Sequence, residues 1–310
     1  MVESKKSWKA WLYLSPVVVL TLIFTAWPIV NTIRMSFLEG YDGMLALGGA
    51  SFDFGIGNFV YALNYPDFLD CLKNTVLLCV LTVPLSTIIA LLIAVALNSI
   101  KPLQRILQTI FFLPYVTNSI AIGMVFASMF NIIGNNLGTA NELITTPGLI
   151  NTFLGFFGVD PVNWMNAGSS YWASIAVMTV YIVWDALPFK ILVLLGGLQG
   201  INKQYYEAAK VDATPKWRVF SRITVPLLSP MITYVVITAF IGGFKEYSSI
   251  VAVFGEDMKQ GSLNTMIGML YEALENTEHG LASASALILF VIIFAVTMLN
   301  MYVSKRNTHY

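Results

Sequence analysis

The feature that most constrains this chain is the spacing of its apolar residues, which collect into runs long enough to cross a lipid bilayer. A transmembrane helix needs about 20 predominantly apolar residues. Six segments meet that need, at about 11–37, 74–98, 106–130, 172–198, 224–247 and 281–303. Only 11% of the residues are charged and 57% are hydrophobic, against about 25% charged in an ordinary soluble domain. The chain therefore lacks the polar surface of a water-soluble fold. The sequence predicts an all-α polytopic membrane protein with residues 1–310 forming a single transmembrane domain. The first run follows Lys5, Lys6 and Lys9 as a secretory signal would. Its apolar stretch from Trp11 to Val30 is too long for one and lacks a small-residue cleavage site, so it reads as a retained span.

Charge placement sets the orientation. Twelve of the 17 basic residues (Lys5, Lys6, Lys9, Lys101, Arg105, Lys203, Lys210, Lys216, Arg218, Arg222, Lys305 and Arg306) fall on alternate connections and the two termini. The opposite loops, 38–73, 131–171 and 248–280, hold 12 of the 17 acids. Basic residues stay on the cytoplasmic side, so the expectation is six spans with both termini inside, in a bacterial or archaeal cytoplasmic membrane in contact with lipid. Net charge is zero, so bulk electrostatics say nothing about a nucleic-acid partner, and none is expected. Cys71 and Cys79 read as packing residues, and the two histidines, His279 and His309, offer no metal cluster. Pro28, Pro84, Pro114 and Pro188 predict kinks. Pro226 and Pro230 are expected in the first turns of the fifth span, where a missing donor costs least.

The connection between spans four and five, about 200–226, differs from the others. Glu207 to Val211 is a strong helix former carrying the small residues Ala208 and Ala209, and Pro215 suits an early helical position. The expectation is two short helices at an angle along the membrane surface. Small alanines permit close approach of another backbone, while Glu207 and Asp212 offer acceptors to a partner's Arg or Lys.

The order Glu207-Ala208-Ala209, then Asp212, Phe220, Ile223 and Pro226, resembles the EAA loop of ABC importer permeases. It departs from that pattern at Ala213 for the usual Gly, Thr214 for Ala and Val225 for Leu. Tyr13-Leu14-Ser15-Pro16, Trp27-Pro28, Lys73-Asn74-Thr75, Phe111-Phe112-Leu113-Pro114-Tyr115, Gly196-Gly197-Leu198-Gln199 and Gly280-Leu281-Ala282-Ser283-Ala284 extend the resemblance over nearly the whole chain. It looks most like the maltose-type carbohydrate permeases. The resemblance implies the type I ABC importer permease fold, a second homologous permease subunit, two cytoplasmic ATPase subunits and an extracytoplasmic substrate-binding protein. It also implies that Tyr206, Glu207, Ala208, Ala209, Asp212, Ala213 and Thr214 couple this chain to an ATPase cleft. No Gly-x-x-x-x-Gly-Lys-Ser/Thr loop occurs in the sequence. ATP and Mg are therefore expected on the partners, with no cofactor, metal or catalytic residue on this chain.

Charged residues inside spans are functional hypotheses by default. Tyr181, Asp185 and Phe189 share one face of the fourth span at i, i+4 and i+8, and Gly242, Gly243, Lys245 and Glu246 form a polar stretch late in the fifth. A carboxylate beside aromatic rings suits a sugar, so these seven residues are expected along a substrate path. An alternative for Asp185 is an ion pair with Lys190 or Lys245, and Lys245 and Glu246 can reach water at the membrane boundary. Segment 141–158 reads as an interfacial helix broken by Pro147 and Gly148. Glycerol phosphate or another polar solute would suit the same machinery. A secondary transporter would show inverted repeats, and an intramembrane enzyme a metal set or a Ser–Lys dyad; neither is found.

Overall fold

A computed structural model describes residues 7–100, 104–135, 144–165, 168–255, 258 and 262–307. Lys5, Lys6, Lys101 and His309, used in the sequence argument, lie outside the described residues, as do 141–143 of the segment 141–158. The chain is dominated by helices: α1 (Ser7–Thr21), α2 (Trp27–Ser36), α3 (Gly43–Leu47), α4 (Gly57–Leu63), α5 (Phe68–Ser99), α6 (Gln104–Phe112) and α7 (Ser119–Phe130) come first. A short antiparallel pair, β1 (Ile132–Asn135) and β2 (Ile144–Pro147), follows, with Ile132 opposite Pro147. Then come α8 (Leu149–Gly155), α9 (Tyr171–Gly200), α10 (Lys203–Val211), α11 (Lys216–Val219), α12 (Val225–Gly243), α13 (Ser248–Phe254), α14 (Met266–Glu275) and α15 (His279–Asn307).

Among the described residues, five helical stretches are long and apolar enough to cross a membrane: Trp8–Ser36, Phe68–Ser99, Tyr171–Gly200, Lys216–Gly243 and His279–Ser304. The expected third span, 106–130, is not a straight helix. It is two pieces, Ile106–Val116 and Ser119–Phe130, bent by 96°. Pro114 sits in a 3-10 turn (Leu113–Val116), and Asn118 restarts the helix by accepting hydrogen bonds from the Ile120 and Ala121 amides. Proline removes a helical donor, and an Asn at the N-cap satisfies two of the amides a new helix leaves free.

Two other prolines are handled by π turns. The Trp27 amide donates to Leu22 and the Val225 amide to Phe220, each five residues back, just before Pro28 and Pro226. A widened turn moves the carbonyl that the proline ring would otherwise strike. The helix expected as the fifth span consequently starts at Lys216, and Pro226 and Pro230 lie well inside it rather than in its first turns. The second short helix expected in the preceding connection is the beginning of that span. At Pro84 and Pro188 the helices continue unbroken.

By contacts the chain divides into two compact units. In the larger, from Leu69 to Ile267 with Ile292 onward, α9 runs through two apolar cores. One gathers Met178, Tyr181, Ile250 and Phe130, the other Ala90, Leu194, Leu195 and Leu228. The segment read from sequence as a loop after the fifth span contains α13, whose Ile250 and Val253 are buried in the first core. The predicted interfacial helix at 141–158 is instead β2 followed by the seven-residue α8. Asn74 secures the 262–266 connection: its amide donates to the Ser262 and Asn264 carbonyls at 2.8 and 2.9 Å, and it accepts from the Tyr171 hydroxyl at 2.7 Å.

The smaller unit, up to Phe68 with Gly268–Val291, is organised by Asn58. Its amide donates to the Leu38 and Ser36 carbonyls at 2.7 and 3.1 Å, and its oxygen accepts from the Gly40 amide at 3.1 Å. Gly280 passes so close that a Cβ there would lie 2.7 Å from the Asn58 amide nitrogen and 3.0 Å from the Tyr41 nitrogen. Gly280→Ala is expected to destabilise the fold by about 1–3 kcal/mol despite alanine's better helix propensity. A lowered midpoint of thermal unfolding in detergent would show it, and an unchanged midpoint would contradict the close packing.

Candidate functional site

Two features of the larger unit qualify as sites. The first is a cavity of about 420 Å³ bounded by α5, α9, α12 and the bend between α6 and α7. Asp185 and Phe189 project into it one turn apart on α9. Tyr115, from the 3-10 turn, stacks on Phe189 with ring centroids 6.2 Å apart. Thr82 and Ser86 supply hydroxyls from α5, and Thr238, Gly242, Gly243 and Glu246 complete the opposite wall. A Cβ at Gly243 would lie 2.9 Å from the Cys79 sulfur, so α12 ends closely packed on α5.

The helix stops there. Lys245 and Glu246 donate their amides to the Gly242 and Gly243 carbonyls, and the chain then turns into α13. The Glu246 carboxylate accepts from the Ser249 amide at 3.3 Å. Lys245 is exposed and is not among the residues that line the cavity. Tyr181 shares the face of Asp185, as expected, but is wholly buried in the core behind the lining, its hydroxyl donating to the Ser119 carbonyl at 2.8 Å. It braces the bend between α6 and α7, and Ser119 stands between it and the cavity.

Lys190 does not pair with Asp185. It is 4% exposed, and its ammonium donates to the Ser86 hydroxyl at 2.6 Å, the Thr87 hydroxyl at 3.2 Å and the Val83 carbonyl at 3.5 Å. Asp185 has no hydrogen-bond or ion-pair partner among the described residues. Sequence reasoning missed Thr82, Ser86, Tyr115 and Ser119. For Thr82 and Ser86 the available signal was the group of hydroxyls, with Thr87, inside the apolar run of α5. Chemically, the cavity offers a stacked ring pair, several hydroxyls and carboxylates, within the volume range of small-molecule sites.

The second feature is the connection between α9 and α12. Asn202 caps α10 by accepting from the Gln204 amide at 3.0 Å. Ala209 is buried, and Tyr206 reaches the Thr224 hydroxyl at 3.3 Å. Tyr206, Ala209, Ala213 and Thr214 border a cavity of about 560 Å³ under the ends of α5 and α9. Glu207, Ala208 and Asp212 are exposed on the other side, with Val211 87% exposed. One helix thus anchors its apolar face on its own bundle and leaves a mixed apolar and acidic face unpartnered in this single chain.

The turn after α10 is made despite the absence of glycine. The Thr214 amide donates to the Ala209 carbonyl at 2.9 Å and the Ala213 amide to Lys210 at 3.1 Å, the two bonds of a Schellman cap. Ala213 occupies its left-handed position with φ of 50°. A non-glycine residue is strained there by about 1–2 kcal/mol. Ala213→Gly is expected to recover about 1 kcal/mol, less the extra freedom glycine gives the unfolded chain, and to slow limited proteolysis of the 203–216 stretch. Faster cleavage would count against the cap.

Comparison with known proteins places these features. The family model described as the binding-protein-dependent transport system inner membrane component matches residues 59–309. The arabinooligosaccharides transport system permease protein AraP of Bacillus subtilis is 30% identical over 303 residues, 97% of this chain and 90% of that protein. The lactose transport system permease protein LacF of Rhizobium radiobacter is 30% identical over 241 residues, 77% of this chain and 74% of its own length. Among solved structures, a chain of a bacterial ABC transporter involved in the import of the acidic polysaccharide alginate superimposes with a TM-score of 0.80 at 20% identity, covering 98% of both chains. That likeness shows the shared fold. With the family model spanning most of its length, this chain belongs to the binding-protein-dependent transport system inner membrane components, the multi-pass permease subunits of ABC importers.

Proposed function

We propose that this chain is one of two permease subunits that pass a carbohydrate, delivered by an extracytoplasmic binding protein, through the cytoplasmic membrane. The observation that carries the reading is the cavity between α5, α9 and α12, with stacked Tyr115 and Phe189, the unpartnered Asp185 and several hydroxyls. Aromatic rings cover the apolar faces of a sugar, and carboxylates and hydroxyls take its hydrogen bonds. Relatives whose names specify arabinooligosaccharides and lactose support an oligosaccharide over glycerol phosphate.

In this reading the whole chain acts as one transmembrane domain of six spans, the bent pair counting as the third, with both termini on the cytoplasmic side. The basic residues of the even connections support that orientation. The α9–α12 connection then faces the cytoplasm, and Glu207, Ala208 and Asp212 present themselves to an ATPase subunit. ATP closes the paired ATPases. The docked helix transmits that movement to α9 and α12, biasing inward-facing against outward-facing arrangements of the spans. This chain holds no nucleotide of its own.

Two experiments test the proposal. Glu207→Lys is expected to abolish co-purification of the ATPase subunit from membranes while this chain and its partner permease still assemble. Retention of the ATPase would remove Glu207 from the coupling site. Asp185→Ala is expected to lower uptake of lactose, maltose or arabinotriose, whichever the intact importer takes best, at least about tenfold, as loss of a charged hydrogen-bond acceptor of about 1.5–3 kcal/mol implies. Undiminished uptake with normal assembly would show that solute passes elsewhere.

A further inference from the structure

The charges around the cavity do not cancel, and this carries an inference about which carbohydrates can enter. Two carboxylates line it, Asp185 and Glu246. The cation that lines it is Lys190, whose three N–H groups are all directed to oxygens of α5 at Val83, Ser86 and Thr87. It is solvated by that helix and offers no free donor to a solute. Lys245, the other basic residue of this neighbourhood, is exposed and outside the lining. Glu246 is held by hydrogen bonds from the backbone and side chain of Ser249 and from the Tyr247 backbone, and Asp185 receives none among the described residues.

We infer that the cavity carries a negative potential that admits neutral and amine-bearing solutes and repels anionic ones, with Asp185 as the residue that imposes the sign. The physical reason is the poor screening of charge in a low-dielectric wall. Field lines from unbalanced carboxylates focus into the opening and change the local concentration of a charged solute by roughly 10- to 1000-fold. Within the proposed function, on which this inference rests, it assigns the permease to neutral or amino-bearing oligosaccharides and excludes uronates and sugar phosphates. Asp185 would act as a hydrogen-bond acceptor for a neutral sugar and as a repulsive element against an anionic one, which is how selectivity is gained against close analogues.

The test applies whichever sugar the importer carries. Thr238 lines the cavity, and among the described residues its hydroxyl bonds only to the Tyr234 and Val235 carbonyls of its own helix, so Thr238→Cys places a thiol there at little cost. The native Cys71 and Cys79 are buried, and the parent importer supplies their background rate. In the complete importer, thiol labelling is timed with the cationic trimethylammonium-ethyl and the anionic sulfonato-ethyl methanethiosulfonates. The cation-to-anion rate ratio is expected to exceed that for a small thiol in solution by at least about tenfold at low salt. Asp185→Asn is expected to reduce the excess several-fold, with Glu246→Gln as the second variant should Asp185→Asn fail to assemble. A ratio equal to that in solution, or one untouched by both variants, overturns the inference. So does an importer that carries trigalacturonate as fast as maltotriose.

The same labelled protein separates this idea from the transport route itself. Blocked uptake of the preferred neutral sugar with a flat ratio sinks only the charge assignment. Labelling that leaves uptake intact sinks the route. Failure of both reagents to reach Thr238→Cys overturns both.

Discussion

A lipid bilayer offers no water to satisfy a backbone amide or carbonyl, and the arrangement of this chain follows from that constraint. Its spans are helical wherever the sequence allows. Each departure from regular helix is matched by a local substitute for the missing bond. Pro28 and Pro226 are preceded by π turns. Pro114 is followed by a break that Asn118 caps. The end of α12 at Gly243 is closed by bonds from Lys245 and Glu246 to the carbonyls just behind them. The last two interruptions both border the 420 Å³ cavity. Irregular backbone at membrane depth is tolerated where it lines such a space, so the site and the breaks are one feature seen twice.

The buried polar groups obey the same rule. Lys190 would be untenable in an apolar bundle without the hydroxyls of Ser86 and Thr87, placed one helix away. Asn74 and Asn58 each bind several carbonyls of irregular connections, one in each compact unit. These side chains replace water for segments that cannot form helix. Asp185 stands apart because no protein group satisfies it among the described residues.

The α9–α12 connection is built from ordinary helix chemistry. An N-cap, a buried alanine and a Schellman turn fix α10 against its own bundle. The continuous helix from Lys216 to Gly243 then joins that connection to the cavity wall without an intervening hinge. α11, the π turn and α12 together form one rod.

Run length and composition by themselves fixed the helical membrane class, because about 20 apolar residues have no other stable use. The order of residues from Glu207 to Pro226 carried the resemblance to the EAA loop of ABC importer permeases, since that motif is local and its parts are neighbours in the chain. Asp185 and Phe189 were legible as a pair because helical periodicity puts them on one face. Tertiary structure alone decided the rest. Tyr181 lies on the same face, yet Ser119 from another element stands between it and the cavity. Lys190 was claimed by hydroxyls about a hundred residues earlier in the chain rather than by the acid five residues away. The 96° bend placed Tyr115 against Phe189. Which partner a polar group finds depends on distances between elements far apart in sequence, and periodicity within one helix carries no information about those.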